Sequence, residues 1–388
     1  MVSDEENKIE LSGRTNSENA AEVEKNILQK ITELKGKSFY FDAEKLEYIS
    51  SAGLRSLLRI LKQHEKIRIA NVSTSIYEIL ETTGFTSLFD VEKSYRRISV
   101  EGCPEIGRGA SGKIYSIDQD NVVKVYNNSN ALEEIKRERE KAKLALILGI
   151  PTAISYEIVR VGDSYGSVFE LLSPVSFSHI IASEPGKIGW CVEESVRLLK
   201  QIHSTHVPEG KLPDARQRAL SWAAKAKEVL DDSDYDRICE LISSVPYEDR
   251  MLHGDYHSKN IMLHNGEVLI IDMESMRVGH PVFELAAMFD AYVGFSEADS
   301  EQVMKFQGFD RKTSIDFWER SLEAYLGTGD PAVLKSVTDK ARVVGYVRML
   351  QYAKDKNRDF RDREKCIDIW KKHLREVLDT VDTLVFDA

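Results

Sequence analysis

The sequence predicts two units of different class. An α/β sandwich fills the first hundred residues, and a larger α+β unit follows, rich in strands at first and helical from Trp190 onward. In the first stretch, strand-like Lys8-Ile9-Glu10-Leu11, Phe39-Tyr40-Phe41 and Ile67-Arg68-Ile69-Ala70 alternate with amphipathic helical patterns. Those patterns run from about Asn19 to Leu34, Leu54 to Gln63 and Ser75 to Thr83. In the last two hundred residues, Val192 to His203, Ala219 to Leu230 and Ser314 to Leu326 each repeat the helical period. The 388 residues then divide into units of about 100 and about 290, both ordinary sizes, with the join at Tyr95 to Cys103.

Each element of the first unit has a local reason. Ser75 and Glu78 are spaced as a capping box before the last helix, and Gly84 is placed to end it. Tyr48-Ile49-Ser50-Ser51-Ala52-Gly53 is a hydroxyl-rich strand-end loop. It opens a helix whose inner face is Leu54, Leu57, Leu58 and Leu61, and Ser50 or Ser51 can serve as its N-cap.

Composition narrows the class of function. The hydrophobic fraction of 42% is that of a folded chain. No apolar run approaches the roughly 20 residues that span a bilayer. The start, Met1-Val2-Ser3-Asp4-Glu5-Glu6, is acidic and lacks the basic-then-apolar layout of a secretory signal. Cysteines at 103, 191, 239 and 366 form no CxxC pair, which predicts reduced thiols and a cytoplasmic location. A net charge of −11 argues against a nucleic-acid partner.

The strongest chemical signal is His253-Gly254-Asp255-Tyr256-His257-Ser258-Lys259-Asn260 followed by Val268-Leu269-Ile270-Ile271-Asp272. Ile261-Met262-Leu263 and Val268 to Ile271 are apolar runs around His264-Asn265-Gly266-Glu267, and Asn-Gly in that setting predicts a tight hairpin. The hairpin would return the chain so that Asn260 and Asp272 converge as oxygen ligands suited to magnesium between nucleotide phosphates and a carboxylate. Asp255, five residues before Asn260, can then take a proton from an attacking hydroxyl. A zinc cluster built on HxDxH is the competing reading, but no second group of His and Asp completes it.

These segments, HGDYHSKN with IIDMES, resemble the catalytic and metal-binding loops of the aminoglycoside phosphotransferase and choline kinase superfamily, related in turn to protein kinases. Gly254, where protein kinases have Arg, points to the small-molecule branch. Gly279-His280-Pro281-Val282-Phe283-Glu284-Leu285-Ala286 resembles the family's G-x-P-x-x-D-L-A, with Glu284 in place of Asp. The resemblance implies a bilobal protein-kinase-like fold with a small β-rich N-lobe, 104–172, and a large helical C-lobe, 173–388. It also implies ATP and magnesium as cofactors, with Asp255 catalytic and Asn260 and Asp272 on the metal.

Further motifs follow from that frame. Ile106 to Tyr115 carries glycines at 107, 109 and 112 that let backbone approach phosphates, with Ser111 in the same loop. GRGASGK nearly spells a P-loop, yet Ile114 stands where a P-loop has Ser or Thr and a strand pattern follows, so a hairpin cover over ATP fits better. Val122-Val123-Lys124-Val125-Tyr126 embeds Lys124, the candidate phosphate-binding lysine, in a strand. The helix Ala131 to Leu148 has Leu144, Ile147 and Leu148 on its apolar stripe. Glu140, four residues before Leu144, is the expected partner of Lys124, ahead of Glu134 and Glu138. Gly166 to Pro174 resembles the hinge where adenine meets backbone, at Glu170 and Leu172.

Phe41-Asp42 through Leu54, with Asn71-Val72-Ser73 and Glu81-Thr82-Thr83-Gly84-Phe85, resembles the STAS domain of anti-sigma-factor antagonists. The resemblance implies a STAS-like domain over 1–98 and a protein partner. Ser51 matches the Ser that is phosphorylated in that family, and Ser50 replaces the preceding Asp.

Two functional expectations remain side by side. One is an ATP- and magnesium-dependent transfer to a hydroxyl of a small molecule, with no membrane or nucleic-acid partner. The other is a signalling kinase acting on protein, Ser51 of its own chain included. An inactive nucleotide-binding scaffold is a third reading, disfavoured by intact Lys124, Asp255, Asn260 and Asp272. Arg342, Arg348, Lys354, Lys356, Arg358 and Arg361 give the C-terminal segment a basic lean, which does not favour a cationic antibiotic as acceptor and otherwise reads as a solvated helix face.

Overall fold

The computed structural model of the chain describes residues 7–64, 67–108, 112–128, 131–171, 175–355 and 360–387. It divides into two units. One holds residues 1–103 together with 125–129 and 158–166, and the other holds the remainder.

The first unit runs β1 (Asn7–Thr15), α1 (Ala20–Glu33), β2 (Phe39–Ile49), α2 (Ser51–Leu61), β3 (Arg68–Val72), α3 (Thr74–Thr82) and β4 (Asp90–Lys93). Its sheet has the order β1-β2-β3-β4 with every pair parallel. Parallel neighbours need crossover connections, and the three helices supply them. Ile9, Phe41, Ile69 and Val72 from the sheet meet Leu54, Leu57 and Ile60 of α2 and Ile76 and Leu80 of α3 in one core. Gly53 lets α2 start close to the sheet, because a Cβ there would lie 2.8 Å from Ile49 Cγ1 and from Thr15 Cγ2.

Three details differ from the sequence reading. β2 continues to Ile49, well past Phe41. β4 was not expected, because Asp90-Val91-Glu92-Lys93 offers one apolar residue in four, as an exposed edge strand can. The Ser75–Glu78 capping box is absent: α3 begins at Thr74 after Ser73, whose side chain makes no cap hydrogen bond, so Ser75 already lies inside the first turn. Gly84 does end this helix, in the left-handed conformation at φ 78°.

Next come β5 (Arg97–Ile98), β6 (Glu105–Arg108), β7 (Gly112–Ser116), β8 (Asn121–Tyr126), α4 (Leu132–Ile147), β9 (Glu157–Val161) and β10 (Ser164–Glu170). These strands form a sheet of order β5-β9-β10-β8-β7-β6. β6 and β7 are an antiparallel pair, with Gly107 opposite Ile114 and Arg108 opposite Lys113. The glycine-rich segment therefore leads into a strand and not a helix, which separates it from a P-loop.

The rest is mainly helical. It comprises β11 (Val175–Ser176), α5 (Phe177–Ser183), α6 (Ile188–His203), α7 (Ala215–Ala226), α8 (Asp232–Ser243), β12 (Met251–Leu252), β13 (Ile261–His264), β14 (Glu267–Ile270), β15 (Arg277–Val278), α9 (Val282–Phe289), α10 (Phe295–Ala298), α11 (Glu301–Gln307), α12 (Arg311–Leu326), α13 (Pro331–Lys354) and α14 (Arg363–Leu378). The strand-rich and then helical order of the chain after residue 103 is the α+β class that the sequence predicts. Its core gathers Leu198, Leu199 and Ile202 of α6, Ala219 and Ala223 of α7, Phe317 of α12, and Val343, Val344 and Val347 of α13. Among the described residues no helix is long and apolar enough to cross a membrane.

Candidate active site

The centre of the site is the loop after β12. Gly254 has φ 83°, and a Cβ on it would lie 2.3 Å from the Ser275 carbonyl oxygen, so both conformation and space demand glycine. Glu284, fully buried at the start of α9, pins this loop from below. Its carboxylate accepts from the backbone N–H of His253 at 2.5 Å, Gly254 at 3.0 Å and Tyr256 at 3.3 Å. Burial alone would raise the Glu284 pKa. His203, 3.9 Å away, the His253 charge and the Gly254 N–H outweigh that and lower it. The Tyr256 hydroxyl donates to the Ser195 carbonyl at 2.6 Å, and the Ser258 N–H donates to the Tyr292 hydroxyl at 2.7 Å. The loop is thus tied to α6 and to the segment after α9.

Asp255 projects from this fixed backbone. One carboxylate oxygen is 3.0 Å from Arg348 Nη2 and the other 3.3 Å from His257 Nε2. Burial pushes the Asp255 pKa up, but the hydrogen bond and charge of His257, with the Arg348 and His253 charges, win and hold it well below the usual carboxylate range.

The expected hairpin forms, with Ile261 opposite Ile270 and His264 opposite Glu267. Asn265 at φ 49° and Gly266 at φ 85° both take positive φ, as a type I′ turn requires. The Ile271 N–H donates to the Asn260 carbonyl at 2.9 Å, closing the open end of the hairpin, so Asn260 and Asp272 flank one hydrogen-bonded rung. Asn260 Nδ2 donates to the Asp255 carbonyl at 3.0 Å, which leaves its Oδ1 as the uncommitted oxygen. Asp272 is exposed and sits in the left-handed region at φ 66°.

This donor set fits magnesium. Among the described residues no three His, Cys, Asp or Glu side chains form a ready-made cage. Magnesium usually takes one or two carboxylates with phosphates and water, and does not need one. Burial raises the Glu274 pKa, the carboxylates of Asp272, Glu134 and Glu138 raise it further, and Lys124 opposes the rise.

Lys124 Nζ lies 3.1 Å from Glu138 Oε1, and both side chains are largely buried. The partner is therefore Glu138 and not Glu140. The inward face of α4 is built from Ile135, Ala142 and Ala145, and Glu138 lies on it; Glu140, roughly 200° further round the helix, is exposed. Ile147, counted on the apolar stripe from sequence, is 70% exposed. Gly107 ends up on β6 and Gly112 opens β7. Gly109, Ser111 and Leu172 lie outside the described residues. Glu170 is the last residue of β10, and the Leu171 N–H after it donates to the Asp120 carbonyl at 2.6 Å.

Arg348 is the site residue that the sequence reading misplaced. It is 7% exposed in the middle of α13, with Asp255 on one side and Asp290 Oδ2 at 3.3 Å on the other. Burial drives the Asp290 pKa well above its ordinary value, and Arg348 opposes the rise. The usable signal was its setting: Val343, Val344, Val347, Met349 and Leu350 are apolar around the whole helix, so a charge among them must be buried and paired. Of the other residues in that basic lean, Arg342 is half-buried against Asp339 and Tyr346, and Lys356 and Arg358 lie outside the described residues.

Ser50 is the N-cap of α2, its hydroxyl accepting from the Gly53 N–H at 3.4 Å, whereas Ser51 is the first helical residue and is exposed.

Residues 102–318 match the model of the phosphotransferase enzyme family. Residues 4–98 match that of the STAS domain. A protein of Bordetella bronchiseptica named as an anti-sigma factor antagonist, BtrV, is 34% identical over 89 residues, 22% of this chain and 75% of that protein. The ADP-bound aminoglycoside phosphotransferase APH(2'')-Ib superposes with a TM-score of 0.47 at 17% identity, over 73% of this chain and 94% of the other. A choline/ethanolamine kinase family protein from Mesorhizobium loti gives 0.45 at 13%, over 72% and 88%.

Proposed function

We propose, for a chain that belongs to the phosphotransferase enzyme family, that it transfers the γ-phosphoryl group of ATP to a hydroxyl of a small molecule with the help of magnesium. The observation that supports this is the hairpin whose closing rung joins Asn260 to Ile271, next to Asp272, with the Asn260 amide donating to the Asp255 carbonyl on the preceding loop. Asp255 would orient the acceptor hydroxyl and receive its proton late, as a carboxylate kept ionised can. Asn260 and Asp272 would hold the magnesium ion, which neutralises charge on the phosphates when bound. Lys124, aligned by Glu138, would bind the phosphates under the Gly107–Gly112 cover, with Glu170 and Leu172 beside the base. The domain division we assign is 1–98, 104–172 and 173–388, and a cytoplasmic location accords with the free cysteines.

The test is the fate of γ-labelled phosphate from MgATP in a metabolite extract, run beside Asp255→Asn. The substitution should leave ATP binding intact and lower turnover by about 100-fold or more. Unchanged turnover would refute the assignment.

A second reading, in which the chain phosphorylates its own STAS domain or a protein partner, is favoured by one observation. Ser50 does the capping, so the exposed Ser51 hydroxyl is not needed for the helix. Mass spectrometry after incubation with MgATP decides it, since a wholly unmodified Ser51 peptide rejects self-phosphorylation.

A further inference from the structure

Beside the candidate site lies a group of cations, two of them arginines with no ion-paired carboxylate among the described residues. Arg277 is the first residue of β15 and pairs with Leu252 of β12, three positions before Asp255; the Ser275 carbonyl two residues earlier packs on Gly254. Arg277 is half-buried, and among the described residues no carboxylate lies within ion-pair distance of it or of Arg218. Burial lowers the Arg277 pKa, and the nearby Arg218 lowers it further. Lys141 of α4 reaches the same place and donates to the Glu274 carbonyl. Burial and then the Arg277 charge pull its ammonium down to about 8, against the Glu274 carboxylate.

Arg218 adjoins Asp255 through a chain of contacts. Arg218 sits 5.7 Å from the centre of the Trp222 ring, Arg348 sits 5.6 Å from the centre of the same ring, and Arg348 touches Asp255 at 3.0 Å. One indole thus separates the exposed Arg218 from the arginine that holds the candidate base. In a chain with 64 acidic and 53 basic residues, two neighbouring arginines with no ion-paired carboxylate among the described residues, and Lys141 beside them with only Glu274 near it, are a local excess of positive charge. Like charges held together in partial burial cost stability unless an anion joins them. Lys124, paired with Glu138, is the residue proposed for the nucleotide phosphates, which leaves this group for another anion.

Resting on the phosphotransferase reading, we propose that Arg277, Arg218 and Lys141 form the specificity site for an acceptor that carries an anionic group, a phosphate or carboxylate, in addition to its reacting hydroxyl. The guanidiniums suit the fork geometry of such anions, and the same charges repel the cationic acceptors that other members of the superfamily use.

Titration calorimetry with inorganic phosphate on the full chain, saturated with MgADP so that the nucleotide site is filled, tests the anion site by itself. Phosphate should bind, and Arg277→Gln and the exposed Arg218→Gln should each weaken it by about tenfold or more. Absence of binding to the unaltered chain, or equal binding to both variants, overturns the proposal. Transfer of labelled γ-phosphate is then measured on hydroxyl-bearing phosphate esters and hydroxycarboxylates against choline and kanamycin. An anionic acceptor should be used, with KM raised about tenfold by Arg277→Gln and kcat held within about twofold. Use of cationic acceptors alone overturns the proposal, as does phosphate that activates instead of competing with the acceptor. If no compound is phosphorylated while phosphate binding still depends on Arg277, the phosphotransferase reading fails and the anion site stands.

Discussion

Arg348 and Asp255, 93 positions apart, meet at 3.0 Å, and the same guanidinium holds Asp290 at 3.3 Å from its other nitrogen. A helix buried in the core of the helical part therefore sets the position of the candidate catalytic carboxylate. Replacing Arg348 by Gln would strand one fully buried carboxylate and release another. The expected loss of stability is about 3–5 kcal/mol, read from denaturant unfolding, with a larger fall in kcat than in ATP affinity. Arg348→Lys should not restore activity, because one ammonium cannot serve two carboxylates in fixed directions. A Lys variant with full turnover would refute the positioning role.

The low pKa of Asp255 predicts a pH profile. Its folded value is depressed, so the carboxylate is ionised and its ion pairs are intact above the ordinary value of about 3.9, and they are lost only as pH falls through the folded value. Between about pH 5 and about pH 8 Asp255 should then contribute no acid limb to kcat/KM. Arg348→Gln removes one of the charges that depress it and should move any such limb upward. An unchanged limb position in that variant would show that Arg348 does not tune the base.

What was legible in the sequence followed from local rules. Asn265-Gly266 between apolar runs specified the hairpin, and with it the approach of Asn260 to Asp272, because positive φ at two consecutive positions is a property of that pair. Glycine at 254 was read from resemblance, and the Ser275 carbonyl now gives its physical reason. The apolar stripe of α4 holds at Leu144 and Leu148, which pack against the core, and fails at Ile147. The buried side is made of Ile135, Ala142 and Ala145, with Ile147 turned to solvent. The partner of Lys124 shifted by two residues in consequence. Arg348 was hidden for a different reason: a tally of basic residues cannot separate a paired interior charge from a solvated one, whereas the apolar neighbours on every side of α13 can.

The corrected pairing is testable. Glu138→Gln should loosen Lys124 and raise the KM for ATP by about tenfold, while Glu140→Gln, on the exposed side of α4, should change it by less than about twofold. Steady-state kinetics at fixed acceptor separates the two, and equal effects would remove the structural distinction.

The last prediction concerns Glu284, where the family pattern has Asp. Its carboxylate is wholly buried and accepts three backbone N–H groups from the loop that carries Asp255. Glu284→Ala leaves those buried donors without their partner, at a cost of about 1–3 kcal/mol for each unpaired group. Glu284→Gln keeps the shape but loses the charge and one acceptor oxygen, so an intermediate loss is expected. Glu284→Asp retracts the carboxylate by one methylene, and with the loop held independently by Tyr256 and Ser258 it cannot reach all three donors without a backbone shift. Thermal unfolding should rank the variants Asp, Gln, Ala from mildest to most severe, with turnover falling in the same order as Asp255 loses its fixed position. Because the pKa of Glu284 is lowered in the fold, its stabilising contribution is complete above about pH 4.3 and fades as pH falls through the folded value. The stability gap between the original chain and Glu284→Gln should therefore narrow in acid, and a gap that widens there would contradict the assigned ionised state.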